Sequence, residues 1–325
     1  MVPSRGGARR LPLLLATLAA QTHPDWEAVV VLDGDVDGSE SVVRRFADVH
    51  DDLAVRTVVF PENRGRVAAL NAGFAEATGD VLIRADDDFE LSPGHVAAHV
   101  APHEAAAARG ERVGVVGLPE NVAPDNAYAR AYGAWADQTG RANARATPPD
   151  ERWRLWGGNV SCTREVYVEL GGYDARYRGY GWEDLDFGYR LRALGIPIEL
   201  ADGATVRHHL ASVTTAIRAR RAWDSGAARA RFEQIHGPGS SGRAVPLGDD
   251  PWNRLVRASA NRLDERRLDR WTATVDRMLP VVPRPVGRKL VAWAVESAAV
   301  AGFTTAAHAQ GPAAGNRPAP GGSPS

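Results

Sequence analysis

Two short apolar segments of this chain each end in aspartate. Residues 28–32, Ala-Val-Val-Val-Leu, run into Asp33, and residues 80–85 run into the triplet at 86–88. Apolar runs of this length are typical of strands buried in a parallel sheet. Open α/β sheets bind their ligands at the carboxyl ends of their strands, so the two clusters predict a ligand site at that edge.

The segments between these strands have a helical pattern. We predict a helix over residues 40–49, a strand over 55–60, and a second helix that ends at Ala77, before Gly79. This alternation indicates a parallel sheet covered by helices on both faces. No Gly-x-Gly-x-x-Gly follows the first strand and no P-loop sequence occurs, which argues against dinucleotide dehydrogenases and P-loop NTPases.

The segment before the first of these strands has two interpretations. Arg9 and Arg10 followed by an apolar run resemble a signal peptide. The leucines of that run recur with the spacing of one helix face, at Leu11, Leu14, Leu15 and Leu18. The strand that follows favours an amphipathic helix packed on a core.

The charge balance argues against a protein that wraps nucleic acid. The 325 residues carry 39 Lys and Arg against 40 Asp and Glu, a net charge of −1, whereas such proteins need a basic surface to displace counterions from phosphates. We therefore expect no nucleic acid partner. Cys162 is the single cysteine, which excludes an internal disulfide and a cysteine metal cluster and favours a reducing cytoplasm.

The aspartate clusters differ in what they can bind. Residues 33–38 match the first half of a calcium-binding EF-hand loop, but the twelfth position, which requires Glu, is Arg44. In the triplet, three like charges at a strand end repel one another unless a cation lies there. Hard carboxylate oxygens of this kind predict a Mg²⁺ or Mn²⁺ site.

Several groups of residues, in order along the chain, resemble inverting nucleotide-sugar glycosyltransferases of family 2. Those in the first half are Val2-Pro3-Ser4-Arg5, residues 18–27, residues 33–39, residues 62–65 with 71–73, and Asp86-Asp87-Asp88. Those in the second half, residues 156–161, 171–174 and 179–184, resemble the galactosyltransferase-type carboxyl half of chondroitin-polymerase-like enzymes. The resemblance covers about residues 1–210 and implies a GT-A fold: an α/β protein with a Rossmann-like, mostly parallel sheet flanked by helices.

The resemblance also implies a donor site. Asp33 is expected to accept a hydrogen bond from the imide of a uracil-type base, and Asp86 and Asp88 match the motif whose metal bridges the diphosphate. His208, or else its neighbour His209, is expected to complete the metal site. The expected donor-binding residues are Pro3, Ser4, Arg5, Asp33, Asn63, Arg66, Asp86 and Asp87.

Glu183 and Asp184 form the candidate catalytic pair. The apolar spacing after them predicts a helix that carries both carboxylates in its first turn, where the helix dipole favours their ionised form. An inverting transfer needs one carboxylate to take a proton from the acceptor hydroxyl. We expect Asp184 to be this base and Glu183 to bind acceptor hydroxyls, with the exchanged roles open. Sugar-binding residues are expected at Trp156, Gly158, Asn159, Tyr180, Gly181 and Trp182.

The remaining chain predicts three parts: the GT-A domain at 1–210, a C-terminal helical extension at 211–308, and a disordered tail at 309–325. Helices are expected over residues 212–235 and 252–278, with a Gly/Pro/Ser linker between them. Residues 290–308 are apolar but contain Glu296, which argues against a spanning helix. Peripheral membrane contact at the cytoplasmic face, a partner-facing helix and a core helix remain open.

These features predict a glycosyltransferase that uses a divalent metal, Mn²⁺ or Mg²⁺. It would move a sugar, with inversion, from a nucleoside diphosphate, expected to be UDP, to a hydroxyl of a glycan, lipid-linked or small-molecule acceptor. Two alternatives remain: a nucleotidyltransferase that makes the sugar nucleotide, and a catalytically silent subunit that binds nucleotide sugar and recruits partners through its C-terminal helices. The aspartate motifs favour the transferase, because a silent subunit has no need of them.

Overall fold

A computed structural model describes residues 1–178, 181–209, 212–242 and 248–310 of the chain. Tyr180, predicted to bind sugar, and residues 311–325 of the predicted tail lie outside the described residues.

The first part of the chain alternates strands and helices as predicted. Its elements are β1 (Val2–Ser4), α1 (Leu11–Ala19), β2 (Glu27–Leu32), α2 (Ser39–Val49), β3 (Ala54–Val59), α3 (Arg66–Glu76) and β4 (Val81–Ala85). β1, β2 and β3 form a parallel sheet with β2 in its centre, where Val30 pairs with Val2 and Thr57. The central strand is buried from Ala28 to Leu32, as its continuous apolar run predicts.

Helix α1 covers one face of this sheet. Its four periodic leucines are all buried and pack with β1 and β2 in one core cluster. The helical interpretation of this segment is therefore confirmed. Beyond β1, the Ala85 N–H donates to the Met1 carbonyl at 3.1 Å, so β4 lies beside β1. The carboxyl ends of β1, β2 and β4 thus meet at one edge.

The next part of the chain adds antiparallel strands. Its elements are β5 (Phe89–Leu91), α4 (His95–Ala107), β6 (Gly114–Val116), β7 (Pro119–Asn121), α5 (Ala134–Arg145), β8 (Asn159–Thr163), α6 (Arg164–Leu170), α7 (Glu183–Ala193), β9 (Ile198–Leu200) and β10 (Val206–His208). β8 runs antiparallel to both β4 and β6 in the order β4-β8-β6-β9, and β10 lies between β5 and β7. The α/β fold is confirmed, although three of the seven strand pairs among the described residues are antiparallel.

Four helices follow: α8 (Thr215–His236), α9 (Pro251–Ala260), α10 (Glu265–Met278) and α11 (Arg284–Gln310). The single helix predicted over residues 252–278 is two helices, because Asp264 caps a new one with a hydrogen bond from the Arg267 N–H at 2.8 Å. α8 does not stand apart from the sheet domain. Phe232 packs between Trp153 and Trp182, and His236 Nε2 lies 2.6 Å from the buried carboxylate of Asp186.

Helix α11 packs closely along α8. A Cβ on Gly226 would lie 2.1 Å from the Ala299 carbonyl oxygen, and one on Gly302 would lie 2.0 Å from the Trp223 carbonyl oxygen, so glycine is required at both positions. By length and composition, residues 284–309 could cross a membrane, but α11 also has a buried face that includes Ala294 and Ala298. Through this face α11 packs against the other C-terminal helices.

Candidate functional site

A cavity of about 290 Å³ opens where β1, β2 and β4 end. We call it the donor cavity. All eight predicted donor residues line it, together with Asp88 of the predicted metal site; the described lining is Pro3, Ser4, Arg5, Arg10, Asp33, Asn63, Gly65, Arg66, Ala69, Asp86, Asp87 and Asp88. Residues separated by more than 80 positions in sequence therefore surround one space at the predicted edge of the sheet.

Asp33 holds the loop between β3 and α3. Its Oδ1 accepts a hydrogen bond from the Arg64 N–H at 2.5 Å and its Oδ2 one from the Gly65 N–H at 2.9 Å. Gly65 has a φ of +89°, which favours glycine. Asp33 thus fixes Asn63 and its neighbours along the cavity wall, and a base N–H would be an additional donor to this carboxylate.

Asp87 binds other side chains of the protein. Ser4 Oγ donates to its Oδ2 at 2.5 Å, and Arg10 donates from Nε at 3.0 Å and from Nη2 at 2.8 Å. This two-pronged pair ties the end of β4 to the start of α1. The sequence reasoning missed Arg10, because nothing near position 10 indicates a partner 77 residues away.

Asp86 faces two arginines. Arg84 Nε lies 3.0 Å from its Oδ1 and Arg66 Nη1 lies 3.4 Å from its Oδ2. Burial opposes ionisation, but these positive charges lower the pKa of Asp86 below its ordinary value. A Cβ on Gly158 would lie 2.6 Å from Asp86 Oδ2, so glycine at 158 is needed for this close approach.

Asp88 and His208 meet at the end of the donor cavity. His208 Nε2 lies 3.1 Å from Asp88 Oδ2, and Asp88 Oδ1 is buried without a hydrogen-bond partner. His209 instead lies 2.7 Å from Glu90. Across the described residues, no three His, Cys, Asp or Glu side chains are grouped as metal ligands. Asp86 contacts arginines, while Asp88 and His208 lie together; the metal set of Asp86, Asp88 and His208 stays a prediction.

The protonation of His208 follows from its other neighbours. Asn121 Nδ2 donates to Asp137 Oδ1 at 2.6 Å, so the amide oxygen of Asn121 accepts from His208 Nδ1–H at 2.8 Å. In neutral His208 the lone pair of Nε2 then points toward a carboxylate oxygen. With its proton on Nδ1, His208 can offer Nε2 to a divalent metal beside the Asp88 carboxylate, so these two side chains are suited to hold one.

The candidate catalytic pair, Glu183 and Asp184, lies in the first turn of α7, as predicted. Trp182, the residue before it, has a φ of +67°, a strained value for a residue other than glycine. The Glu183 carboxylate is buried, and its Oε2 has no hydrogen-bond partner. Burial and the charge of Asp184 raise the pKa of Glu183 to about 7. The Asp184 side chain is 14% exposed, against 2% for Glu183.

Arg84 links this pair to the donor cavity. Its guanidinium is fully buried, with Nε on Asp86 and Nη1 on Asp184. A buried charge is tolerated only when it is paired, and here two carboxylates from distant parts of the chain supply the pairing. The sequence reasoning missed Arg84, although an arginine inside an apolar strand was a usable signal.

The predicted sugar-binding residues are mostly structural. Trp156 is 3% exposed and stacks on Phe187, so little of either face is accessible to a sugar. Asn159 is also buried: its amide donates to the Gly117 and Ala204 carbonyls at 3.0 and 2.7 Å, and its oxygen lies 3.0 Å from His99 Nε2. The structure contradicts the prediction that Asn159 contacts sugar or diphosphate, because its hydrogen-bonding groups hold the sheet together.

Trp182 and Gly181 lie beside the catalytic pair. Trp182 packs on Phe232 and donates from Nε1 to Ser225 Oγ at 3.2 Å, so it fastens the start of α7 to α8. Gly181 has a φ of +91°. Together they set the backbone turn that leads into Glu183.

Comparison with known proteins agrees with this geometry. Residues 1–151 match the model of glycosyl transferase family 2, and residues 138–212 match that of the N-terminal domain of galactosyltransferase. The first 151 residues are therefore similar to glycosyltransferase family 2. Neither model extends past residue 212, so helices α8 to α11 lie outside the matched regions.

Two curated relatives are glycosyltransferases by name. A validoxylamine A glucosyltransferase of Streptomyces hygroscopicus is 32% identical over 225 residues, which are 62% of this chain and 52% of the relative. A glucosyl-dolichyl phosphate glucuronosyltransferase of Haloferax volcanii is 30% identical over 164 residues, 49% of each chain. The chain thus spans about half the length of these relatives.

A solved structure has the same fold. A mannosyltransferase from Pyrobaculum calidifontis, in complex with GDP-Man and Mn²⁺, aligns with 91% of this chain and 84% of its own at a TM-score of 0.56 and 20% identity. At this identity the likeness shows the fold alone, and the GT-A architecture is confirmed.

Proposed function

We propose that this protein transfers a sugar from a nucleoside diphosphate to an acceptor hydroxyl, with a divalent metal and with inversion at the anomeric carbon. The observation that carries the proposal is the donor cavity, in which every predicted donor residue lies. Asp88 and His208 meet at this cavity, and Arg84 joins it to the catalytic pair. The GDP-Man and Mn²⁺ in the related mannosyltransferase structure support this assignment.

The metal would be held by Asp88 and His208. When bound, it would neutralise the charge that develops on the diphosphate leaving group. Arg66, 39% exposed and beside Asp86, would add a second positive charge on the same side. The Asp33 loop would bind the base, and we propose uracil, whose imide N–H suits a carboxylate acceptor.

Asp184 would act as the base. The acceptor oxygen attacks the anomeric carbon as the bond to the diphosphate oxygen breaks, and Asp184 takes the hydroxyl proton. Asp184 is the more accessible of the two carboxylates, and Arg84 fixes its orientation. Glu183, with a pKa raised to about 7, would either accept a hydrogen bond from the acceptor or donate one to it.

Ligand-induced stabilisation tests the donor and metal assignments. Thermal unfolding is measured with UDP, GDP, ADP, CDP and TDP, each with and without Mn²⁺, because a ligand that binds only the folded state raises its stability. We expect one diphosphate, UDP, to stabilise the protein in the presence of Mn²⁺, and Asp88→Ala to lose the effect. Folded protein that responds to no diphosphate would contradict the proposal.

A second measurement separates the alternatives. Metal-dependent hydrolysis of the donor sugar, with release of the nucleoside diphosphate, is expected of a transferase. Release of pyrophosphate from a nucleoside triphosphate would indicate a nucleotidyltransferase, and diphosphate binding without any turnover would indicate a silent subunit.

We also propose that the protein is located in the cytoplasm. Its single cysteine, Cys162, is buried and unpaired, which suits a reducing compartment.

A further inference from the structure

Two more cavities lie beyond His208. The larger, about 740 Å³, lies between α5 and the start of α8, and His208 is part of its wall. His208 also contacts Asp88, which lines the donor cavity. The larger cavity therefore adjoins the donor cavity through the proposed metal ligands. We call it the acceptor cavity, because a transferase needs a second substrate on this side of the metal.

The smaller cavity, about 310 Å³, lies between α8 and α11. We call it the helix cavity. Trp182, the residue before the catalytic pair, forms part of its wall, and Phe303 of α11 forms another part. Three arginines of α8 line it, Arg218, Arg221 and Arg229, and among its described lining residues there is no Asp or Glu.

Arg218 and Arg221 line both cavities. They are three residues apart on α8, so their side chains project from the same face of the helix. One cavity reaches His208 and the other reaches Trp182. The arginine pair thus lines one cavity that includes His208 and another that includes Trp182, the residue before the candidate catalytic pair.

We propose that Arg218 and Arg221 bind an anionic group, of the phosphate type, on the acceptor. Guanidinium groups are planar and always charged, and they pair with phosphate oxygens in a two-pronged geometry. Apolar residues form part of both cavities: Leu118, Pro124 and Tyr128 line the acceptor cavity, and Val295 and Phe303 line the helix cavity. The one carboxylate in the described lining of the acceptor cavity, Asp137, is paired with Arg141 at 3.1 Å. The site suits an acceptor with a phosphate beside a weakly polar portion.

This inference rests on the proposed function and adds the class of its acceptor. Both arginines belong to α8, which lies outside the two matched family models. The resemblance therefore implies nothing about them, and the inference depends on this chain's own cavities. A lipid phosphate and a soluble sugar or polyol phosphate share the required chemistry, and the experiment separates them.

Calorimetric titration of the full chain tests the site. The probes are octyl phosphate, which has an apolar chain, glycerol phosphate, which has none, and octyl glucoside as an uncharged control. We expect at least one phosphate probe to bind, and the double variant Arg218→Ala/Arg221→Ala to weaken it at least tenfold. Arg192→Ala/Arg231→Ala, which removes the same charge at one exposed and one half-buried position outside both cavities, should bind like the native protein.

The outcomes distinguish this inference from the proposed function. Binding of octyl phosphate alone supports a lipid-type acceptor, and equal binding of both phosphates supports a soluble one. A native protein that binds neither phosphate, or a double variant that binds both normally, overturns the inference. Metal-dependent stabilisation by a nucleoside diphosphate should persist in the double variant; its absence in the native protein overturns the proposed function instead. Asp88→Ala should still bind the phosphate probe, because that binding does not depend on the proposed metal site.

Discussion

The donor cavity takes its lining from the first 88 residues, whereas the two cavities beyond His208 take theirs from elements between Leu118 and Phe303. The donor cavity is rich in aspartates, whose partners are arginines, a serine, a histidine and backbone N–H groups. The helix cavity has arginines and, among its described lining residues, no carboxylate. The donor cavity would thus suit a cation and the arginine pair an anion, and Arg84 and His208 contact Asp86 and Asp88 of the donor cavity.

The largest expected effect is that of removing the proposed base, which should greatly slow transfer without affecting the donor cavity. We expect Asp184→Asn to lower the transfer rate about 10²- to 10⁴-fold, because the amide cannot accept the hydroxyl proton. Nucleoside diphosphate binding, a property of the donor cavity, should remain. The measurement is a pair of assays on one preparation: kcat for transfer and Kd for the diphosphate. Glu183→Gln is the matched control, and a greater loss there would exchange the two roles.

Loss of the proposed metal ligand would disable the donor side alone. Asp88→Ala is expected to weaken Mn²⁺ binding by about 100-fold or more, since a direct ligand is removed. Paramagnetic resonance of free Mn²⁺ gives the affinity without any turnover. Asp25→Ala, at an exposed carboxylate away from the cavity, serves as control. Unchanged Mn²⁺ affinity in Asp88→Ala would remove Asp88 from the metal site.

A smaller effect on metal binding is expected from a change at Asp137, in the acceptor cavity. Asp137 lines that cavity and orients Asn121, which in turn fixes the proton on His208. We expect Asp137→Ala to weaken Mn²⁺ binding about 10- to 100-fold and to shift the His208 ring toward the other tautomer. Nitrogen NMR of the labelled histidine reports the tautomer directly. Asn143→Ala, exposed on the same helix α5, should change neither quantity.

The smallest expected effect concerns stability and pH. A carboxyl whose pKa is raised to about 7 in the folded protein, from an ordinary 4.5, holds its proton more tightly when folded. Its contribution to stability is therefore greatest at low pH and is lost as the pH rises toward 7. Glu183→Gln should remove a dependence on the order of 1–2 kcal/mol between pH 5 and 7.

The pH dependence due to Glu183 is obtained by comparing the unfolding free energies of the variant and the native protein. Burial lowers the pKa of His95 to about 3 and those of His99 and His103 to about 4, so these histidines make the fold more stable as the pH rises through the same range. Urea unfolding at pH 5, 6 and 7 of both proteins isolates the Glu183 contribution. If the difference in unfolding free energy between the two proteins is the same at pH 5, 6 and 7, the raised pKa of Glu183 is contradicted.

The residues of the donor cavity could be predicted because each group is recognised from the short segment around it. Each predicted group follows a strand or opens a helix, and strand ends in a parallel sheet converge on one edge. Its partners could not be predicted: Arg10 pairs with a residue 77 positions away, and Asn121 meets His208 across 87 positions. The prediction of sugar binding at residues 156–159 was wrong for Trp156 and Asn159. Both side chains are buried in the core, because β8 pairs with β4 and β6 on either side.

The two glycines between α8 and α11 set a limit on trimming this protein. The match to known families stops at residue 212, which invites an expression boundary there. Such a cut would remove Phe232 from between two tryptophans and leave Asp186 buried without His236. A cut after α8 would strip the neighbour against which Gly226 packs. The smallest stable unit for expression and crystallisation is therefore expected to run through α11, even though no family boundary marks it.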